Sequence, residues 1–392
     1  MSKTIRLNNT NDKVKILFLV NDLSFFNSHR LPIAEASKSK GFDVVIAYGE
    51  HGGANPELLE RKGFKVLLIP MERGGTNILS DLRTIYLILT LFKSERPDIV
   101  HLVTIKPYLY GGIIARLSGV SSVVSAVSGL GTIFIHNDFK SKFLRFLLYP
   151  LYHFAFNHTN QTVIVQNKED ARLLESWGVL NLNKVQLLRG SGVNLDNFVN
   201  LEEHDTTPVV CFVARLLVDK GVYEFASAAK ILNKRGVRAR FFLAGGLDHN
   251  NNTGLNSNDL NKIKEEGFVE VLGYQKDIPK LYSKSHIVCL PSYREGLPKS
   301  LIEAAAASRA VITTDVPGCR DAIEPNISGL LVPVMNDEAL ADAIHDLIKN
   351  PEKRKNMGKA GRLLAEKEFR IEKIVDSHIR IYEDLIDQLN AQ

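Results

Sequence analysis

A chain of 392 residues is long for one hydrophobic core and points to two domains. With 45% hydrophobic and 24% charged residues, its composition excludes a mainly disordered chain. A net charge of +5 is too small to argue for nucleic acid, though it suits diphosphates or anionic headgroups. The three cysteines, Cys211, Cys289 and Cys319, have no metal-ligand spacing and no even framework, which fits a reducing cytosol.

Residues Met1 to Asp12 read as a frayed polar leader without the features of a secretory signal. Val14 to Val20 is apolar almost throughout, as a strand buried on both faces requires. A loop, Asn21 to Ser28, is expected next, then a helix beginning near Leu31-Pro32. Further strands are expected at Asp43 to Ala47, Lys65 to Ile69, Ile99 to Val103, Ser122 to Val127 and Thr162 to Val165. Helical patterns such as Ile33 to Lys40 and Leu79 to Lys93 separate them. This alternation predicts a doubly wound parallel sheet.

From Leu195 to Pro208 the chain turns polar and acidic and reads as an interdomain linker. A second set of strands follows at Val209 to Ala214, Ala239 to Ala244, Val269 to Leu272, His286 to Leu290, Ala310 to Thr314 and Leu330 to Pro333. Asn250 to Gly254 reads as a mobile polar loop, and Glu338 to Gln392 as helix. No apolar stretch reaches the roughly 18 residues of a spanning helix. The α/β reading therefore has two Rossmann-like domains, 1–200 and 201–371, with a final helix, 372–392.

Chemistry concentrates in the stretch from Pro291 to Ala307. A strand ends before Pro291, turn residues run to Gly296, and Pro298 is expected as the first residue of a helix. Glu295 then lies on the loop and Glu303 inside the helix. The helix start offers amides and partial positive charge to an anion. The carboxyl end of a strand is where open α/β sheets bind ligands.

Glu295 and Glu303, seven residues apart within Glu-Gly-Leu-Pro and Leu-Ile-Glu-Ala-Ala, resemble the paired-glutamate motif of the retaining glycosyltransferases of family 4. That resemblance spans nearly the whole chain and is strongest from Val209 to Pro333. It implies the GT-B fold, two Rossmann-like domains facing a cleft, with the acceptor on the first domain, the nucleotide sugar on the second, and the last helix packing back onto the first. It also implies roles for single residues. Arg215 and Lys220 would hold the donor diphosphate, where fixed cations stabilise the charge left on the departing phosphate. Glu295 would contact the donor sugar and Glu303 the ribose hydroxyls. The backbone of Gly296, Leu297, Pro298 and Lys299 would face phosphate or sugar oxygens. Gly245 would sit at the donor site, or merely make a turn. The backbone of the segment Leu272-Gly273-Tyr274 to Asp277-Ile278-Pro279 would pair with the nucleobase edge, with uracil favoured and Ile278 packing beside it; a plain turn capped by Asp277 is the other reading of that segment.

On the first domain, His29 and Arg30 are candidates for an anionic acceptor, or else a helix-start pair facing water. Lys106 is a candidate second cation, and Ser128 and Gly129 belong to a glycine-bearing strand-end loop. His101 reads as a buried, hydrogen-bonded histidine. The Asn21 to Ser28 loop lacks the glycines many family members carry there, and no histidine stands near Ser128. A reaction on one face of the sugar can use the leaving phosphate as base, so that histidine is not essential. No Asp-X-Asp pair is present, so no metal cofactor is expected.

Residues 139–156 are rich in Phe, Leu and Tyr, with Lys140, Lys142 and Arg145 in the first half. They fit either a helix lying in a membrane interface or a core helix. The segments His29-Arg30-Leu31-Pro32 and Ser128-Gly129-Leu130-Gly131 resemble bacterial enzymes that extend a sugar on undecaprenyl diphosphate. That resemblance implies a polyprenyl-diphosphate-linked acceptor, a UDP-sugar donor, and a peripheral place on the cytoplasmic face of the plasma membrane. A GT-B sugar-nucleotide epimerase and a non-catalytic nucleotide-sugar-binding partner of a membrane glycan assembly are the competing readings.

Overall fold

The computed structural model describes residues 13–71, 77–130, 139–198, 203–204, 206–248, 251 and 253–391. The chain divides into two compact units, one running to Leu188 and resuming at Ile374, the other spanning Arg189–Lys373. The division lies between Leu188 and Arg189, upstream of the polar stretch read as a linker. Part of that stretch belongs to the second unit's core, since Leu195 and Phe198 are buried there.

The first unit is a seven-stranded, all-parallel sheet. Its strands are β1 (Lys15–Asp22), β2 (Asp43–Glu50), β3 (Lys65–Leu68), β4 (Ile99–Val103), β5 (Ser122–Val127), β6 (Gln161–Val165) and β7 (Val185–Leu187). They lie in the order β3-β2-β1-β4-β5-β6-β7. The three-residue β7 has no counterpart in the sequence reading, being too short to show a strand period. Its helices are α1 (Leu23–His29), α2 (Leu31–Ser39), α3 (Glu57–Arg61), α4 (Ile78–Glu95), α5 (Gly112–Ser118), α6 (Phe139–Ala155) and α7 (Lys168–Ser176).

Alternate residues of a strand point to opposite faces, and both faces here are buried. Leu17 and Leu19 enter a core with Ile88 and Phe92 of α4, Ile114 of α5 and Phe156 just past α6. Ile16, Phe18 and Val20 enter the other core with Phe26 and Ile33. Helix α1 occupies the segment expected as a loop: Asp22 caps it by accepting from the Phe25 amide at 2.8 Å.

The second unit holds β8 (Val209–Val213), β9 (Arg240–Ala244), β10 (Glu270–Gly273), β11 (Ile287–Leu290), β12 (Ala310–Thr314) and β13 (Gly329–Val332). All are parallel, in the order β10-β9-β8-β11-β12-β13. Its helices are α8 (Val222–Lys234), α9 (Ser257–Glu266), α10 (Ile278–Ser283), α11 (Lys299–Ala306), α12 (Asp337–Lys349) and α13 (Pro351–Leu364). The last helix, α14 (Ile371–Ala391), returns the chain to the first unit. There Ile379, Tyr382 and Leu385 join the same core as Ile16 and Phe18 of β1. Asn160 donates to Leu385 O at 2.9 Å, and the Tyr382 hydroxyl lies 2.6 Å from His101 Nδ1.

Both sheets are doubly wound, and each reverses its strand order once. The reversal falls between β1 and β4 in the first unit and between β8 and β11 in the second. Crossovers leave such a point in opposite directions and open a crevice beyond the strand ends.

Candidate active site

Strands β8 and β11 flank the reversal in the second unit, and their exits carry most of the candidate donor residues. Beyond β8 the chain makes one 3-10 turn, Val218–Lys220, then Gly221 at φ +76° ahead of α8. A Cβ on Gly221 would fall 2.2 Å from Pro291 O. Only glycine lets the lysine loop lie this close to the exit of β11. Tyr293 N donates to Asp219 O at 2.8 Å, and Ser292 Oγ to the same carbonyl at 2.9 Å. So fastened, the two loops bring Lys220 Nζ into an ion pair with Glu295 Oε1, both side chains mostly shielded from water.

A third loop supports Glu295. After β12, Pro317 O accepts from the Glu295 amide at 3.3 Å. Gly318 sits at φ +78°, where a Cβ would be 2.4 Å from both Glu295 O and Gly296 O. The Cys319 thiol is buried near Glu295, and its pKa is pushed up to about 12, by burial first and by that carboxylate second. It is therefore a neutral packing group.

Helix α11 begins one residue later than expected. Pro298 is its N-cap with extended backbone (φ −71°, ψ 122°), and no side chain caps it. Proline has no N–H, so it contributes no donor to an anion. Leu301 N and Ile302 N turn back to Pro298 O. Leu297 is buried, and a Cβ on Gly190 would come 2.8 Å from its Cδ2, so this side chain anchors the loop. Within the helix, Glu303 Oε1 lies 3.7 Å from Lys299 Nζ. Burial raises the Glu303 pKa, and Lys299 opposes that rise.

Arg215 leaves the same strand as Lys220, two residues past the end of β8. Its Nη1 is 2.5 Å from Asp248 Oδ2, beyond the end of β9. Asp248 was not singled out by sequence, although an acid just past an apolar strand is a visible cue. Gly245 serves the fold directly, because a Cβ there would meet Ala214 O at 1.9 Å and only glycine lets these two chain segments approach each other. Tyr274 is 70% exposed. Ile278 opens α10, which Asp277 caps by accepting from Lys280 N at 3.0 Å. Thr253, in the loop read as mobile, donates to Asp219 Oδ2 at 3.1 Å, and its carbonyl accepts from Val218 N at 2.8 Å. That part of the loop is fastened to the lysine turn. Residues 250 and 252 lie outside the described residues, as do residues 1–12 and Gly131.

The first unit corrects the reading of Arg30 as a residue facing water. Arg30 is 2% exposed, so it neither faces water nor offers an open cation. Burial lowers its pKa to about 10, and its Nη1 donates to His29 O at 3.1 Å. Lys106 Nζ is 2.6 Å from Asp81 Oδ1, so its charge is matched within the unit. His29 stacks on Phe25 at 4.0 Å between ring centroids. Ser128 and Gly129 follow β5, with Gly129 at φ +138°. His101 is buried and hydrogen-bonded, as read. Helix α6 is buried on one side only: Tyr152 and Phe156 just beyond it pack inward, while Phe139, Phe143 and Phe146 lie on the surface. Among the described residues, no helix is long and apolar enough to cross a membrane.

Comparison with known proteins gives matches to both units. Residues 194–364 match the model of glycosyl transferases group 1, and residues 15–167 match that of glycosyl transferase 4-like domains. An N,N'-diacetylbacillosaminyl-diphospho-undecaprenol alpha-1,3-N-acetylgalactosaminyltransferase of Campylobacter jejuni is 28% identical over 84% of this chain and 88% of its own. A UDP-Gal:alpha-D-GlcNAc-diphosphoundecaprenol alpha-1,3-galactosyltransferase of Escherichia coli is 25% identical over 86% of this chain and 89% of its own. Among solved structures, Anabaena HepE in complex with UDP and glucose superposes with a TM-score of 0.75 at 16% identity, covering 94% of this chain and 99% of that one. At that identity the superposition speaks for the fold alone.

Proposed function

This chain belongs to the family 4 glycosyltransferases of GT-B fold, and on that premise we propose that it transfers a sugar from a UDP-sugar to a saccharide carried on a membrane polyprenyl diphosphate. The sugar is an N-acetylhexosamine or hexose, and the product is a cell-surface glycan precursor. The observation that carries the reading is the ion pair of Lys220 with Glu295 at the strand-order reversal of the second sheet. There a cation for the diphosphate and a carboxylate for the sugar stand side by side, just ahead of the uncapped start of α11. Support for the substrates comes from the relatives: one is named for UDP-Gal, and both are named for diphospho-undecaprenol acceptors.

The chemistry is nucleophilic substitution at the sugar's C1. The bond from C1 to the β-phosphate oxygen breaks, and the bond from C1 to an acceptor hydroxyl oxygen forms. Lys220 stabilises the charge arriving on the diphosphate, as does Arg215 once it exchanges Asp248 for phosphate. The acceptor's proton passes to the departing phosphate on the same face of the sugar, which keeps the α configuration of the donor. Glu303 accepts from the ribose hydroxyls. These cations suffice for the leaving group, so the proposed reaction needs no metal. The place of action is the cytoplasmic face of a bacterial plasma membrane, with α6 resting on it. The outward Phe139, Phe143 and Phe146 support that contact.

The test is incubation with UDP-N-acetylhexosamines and UDP-hexoses, with and without a short-chain polyprenyl-diphosphate saccharide. Expected are acceptor-dependent UDP release and an α-anomeric proton in the product's NMR spectrum. A β product overturns retention. Interconversion of sugar nucleotides without acceptor would establish the epimerase reading. Tight donor binding with neither reaction would establish the binding partner.

A further inference from the structure

The two cations assigned above to the donor diphosphate each hold an internal acid, and the two pairs differ. Lys220 and Glu295 shield each other from water. In the other pair the Asp248 side chain is 12% exposed, whereas that of Arg215 is 48% exposed. A half-exposed arginine gains little stability from a single partner. Yet several contacts fix this carboxylate in place.

Asp248 follows β9, and the chain on either side of it is fastened to the neighbour of Arg215. Leu216 N donates to Gly246 O at 3.0 Å, and Leu216 O accepts from Leu255 N at 2.9 Å. Gly254 packs against Asp248 itself, since a Cβ there would fall 2.3 Å from Asp248 O. That oxygen accepts from Asn251 N at 3.1 Å, and Asn251 O accepts from Gly254 N at 2.9 Å. Asn251 Oδ1 also accepts from Thr253 N at 3.0 Å, and the Thr253 hydroxyl donates to Asp219, beside Lys220. Asp248 is thus presented to Arg215 by fixed backbone and does not meet it by chance of rotamer.

A guanidinium grips carboxylate and phosphate with the same planar fork. Asp248 therefore occupies the cation that a diphosphate would need, and its charge repels a diphosphate brought within a few ångströms. We infer that Asp248 is a positioning residue for Arg215 that competes with the diphosphate, loosening UDP and hastening its release once the sugar has gone. Release of product limits turnover in many enzymes, so an internal competitor raises kcat while it weakens affinity. The inference rests on the donor reading given above and adds the residue that sets how long UDP stays.

The test is calorimetric titration of UDP and of uridine into the full chain and its Asp248→Asn variant, with steady-state kinetics on both. Asp248→Ser is a second variant held to the same outcomes, and circular dichroism checks folding. UDP should bind the variants about five- to tenfold tighter. Uridine, which has no diphosphate, should bind all three proteins alike. Donor KM and kcat should fall together, with UDP a stronger product inhibitor. Equal or weaker UDP binding by the folded variants overturns this inference and leaves the donor reading standing. Uridine tightened as much as UDP also overturns it, because the effect then belongs to the nucleoside site. Tighter UDP with unchanged kcat overturns the role in release. If none of the proteins binds UDP, the donor reading fails and this inference fails with it.

Discussion

Lys220 and Glu295 stand 75 residues apart in sequence and form a shielded ion pair where the exits of β8 and β11 are tied together. In the proposed mechanism each holds the other's charge in place until a diphosphate and a sugar compete for them. Lys220→Ala and Glu295→Gln should each lower kcat by about 10²–10³-fold, the range for removing one fixed group that stabilises transition-state charge. The double variant should fall short of the product of the two losses, because neighbours in one network do not add. Steady-state kinetics on the four proteins checks this. A large fall in Tm with kcat preserved would make the pair a fold element only.

Gly318 tests the support beneath the carboxylate. Its φ of +78° is strained for any L side chain, and a Cβ would strike two backbone oxygens at 2.4 Å. Gly318→Ala should therefore cost more than about 1 kcal/mol of stability. It should also displace Glu295 and reduce kcat, leaving donor KM less affected. Chemical denaturation and kinetics on one preparation separate the two effects. A variant with unaltered kcat would mean that the Glu295 loop tolerates movement.

A pH dependence follows from two buried histidines, one on β4 and one on α14. His378 and His101 stack at 5.6 Å between centroids, with Tyr382 and Arg30 beside them. Burial lowers the His378 pKa to about 3, with Arg30 adding to the fall, and lowers that of His101 as well. The unfolded chain binds a proton at each near the usual value of about 6.5, whereas the folded chain does not. Stability is thus fully present above about pH 6.5 and is lost as pH falls toward the folded values. His378 alone should account for about 2 kcal/mol between about pH 7.5 and pH 5. His378→Gln should flatten that slope in urea titrations; an unchanged slope would assign it to other groups.

Metal independence is tested by chelation. Turnover in excess EDTA should match that in Mg²⁺ if, as proposed, Lys220 and Arg215 supply the positive charge at the leaving group. Loss in EDTA that Mg²⁺ restores would place a divalent ion on the diphosphate and overturn this part of the mechanism.

The sequence by itself determined the α/β class, all six strands of the second unit and six of the seven in the first, because strands of a buried parallel sheet are predominantly apolar. It also determined the family, since the Glu295–Glu303 string binds a turn, a helix start and two carboxylates into one local pattern. Tertiary structure decided what local pattern does not encode. The burial of Arg30, the capture of Lys106 by Asp81, the hold of Asp248 on Arg215 and the loop contact that requires Gly318 all join residues distant along the chain. Charge and spacing show which groups are available; only packing settles which partner satisfies each one, because a buried charge or strained backbone is stabilised by neighbours from other elements.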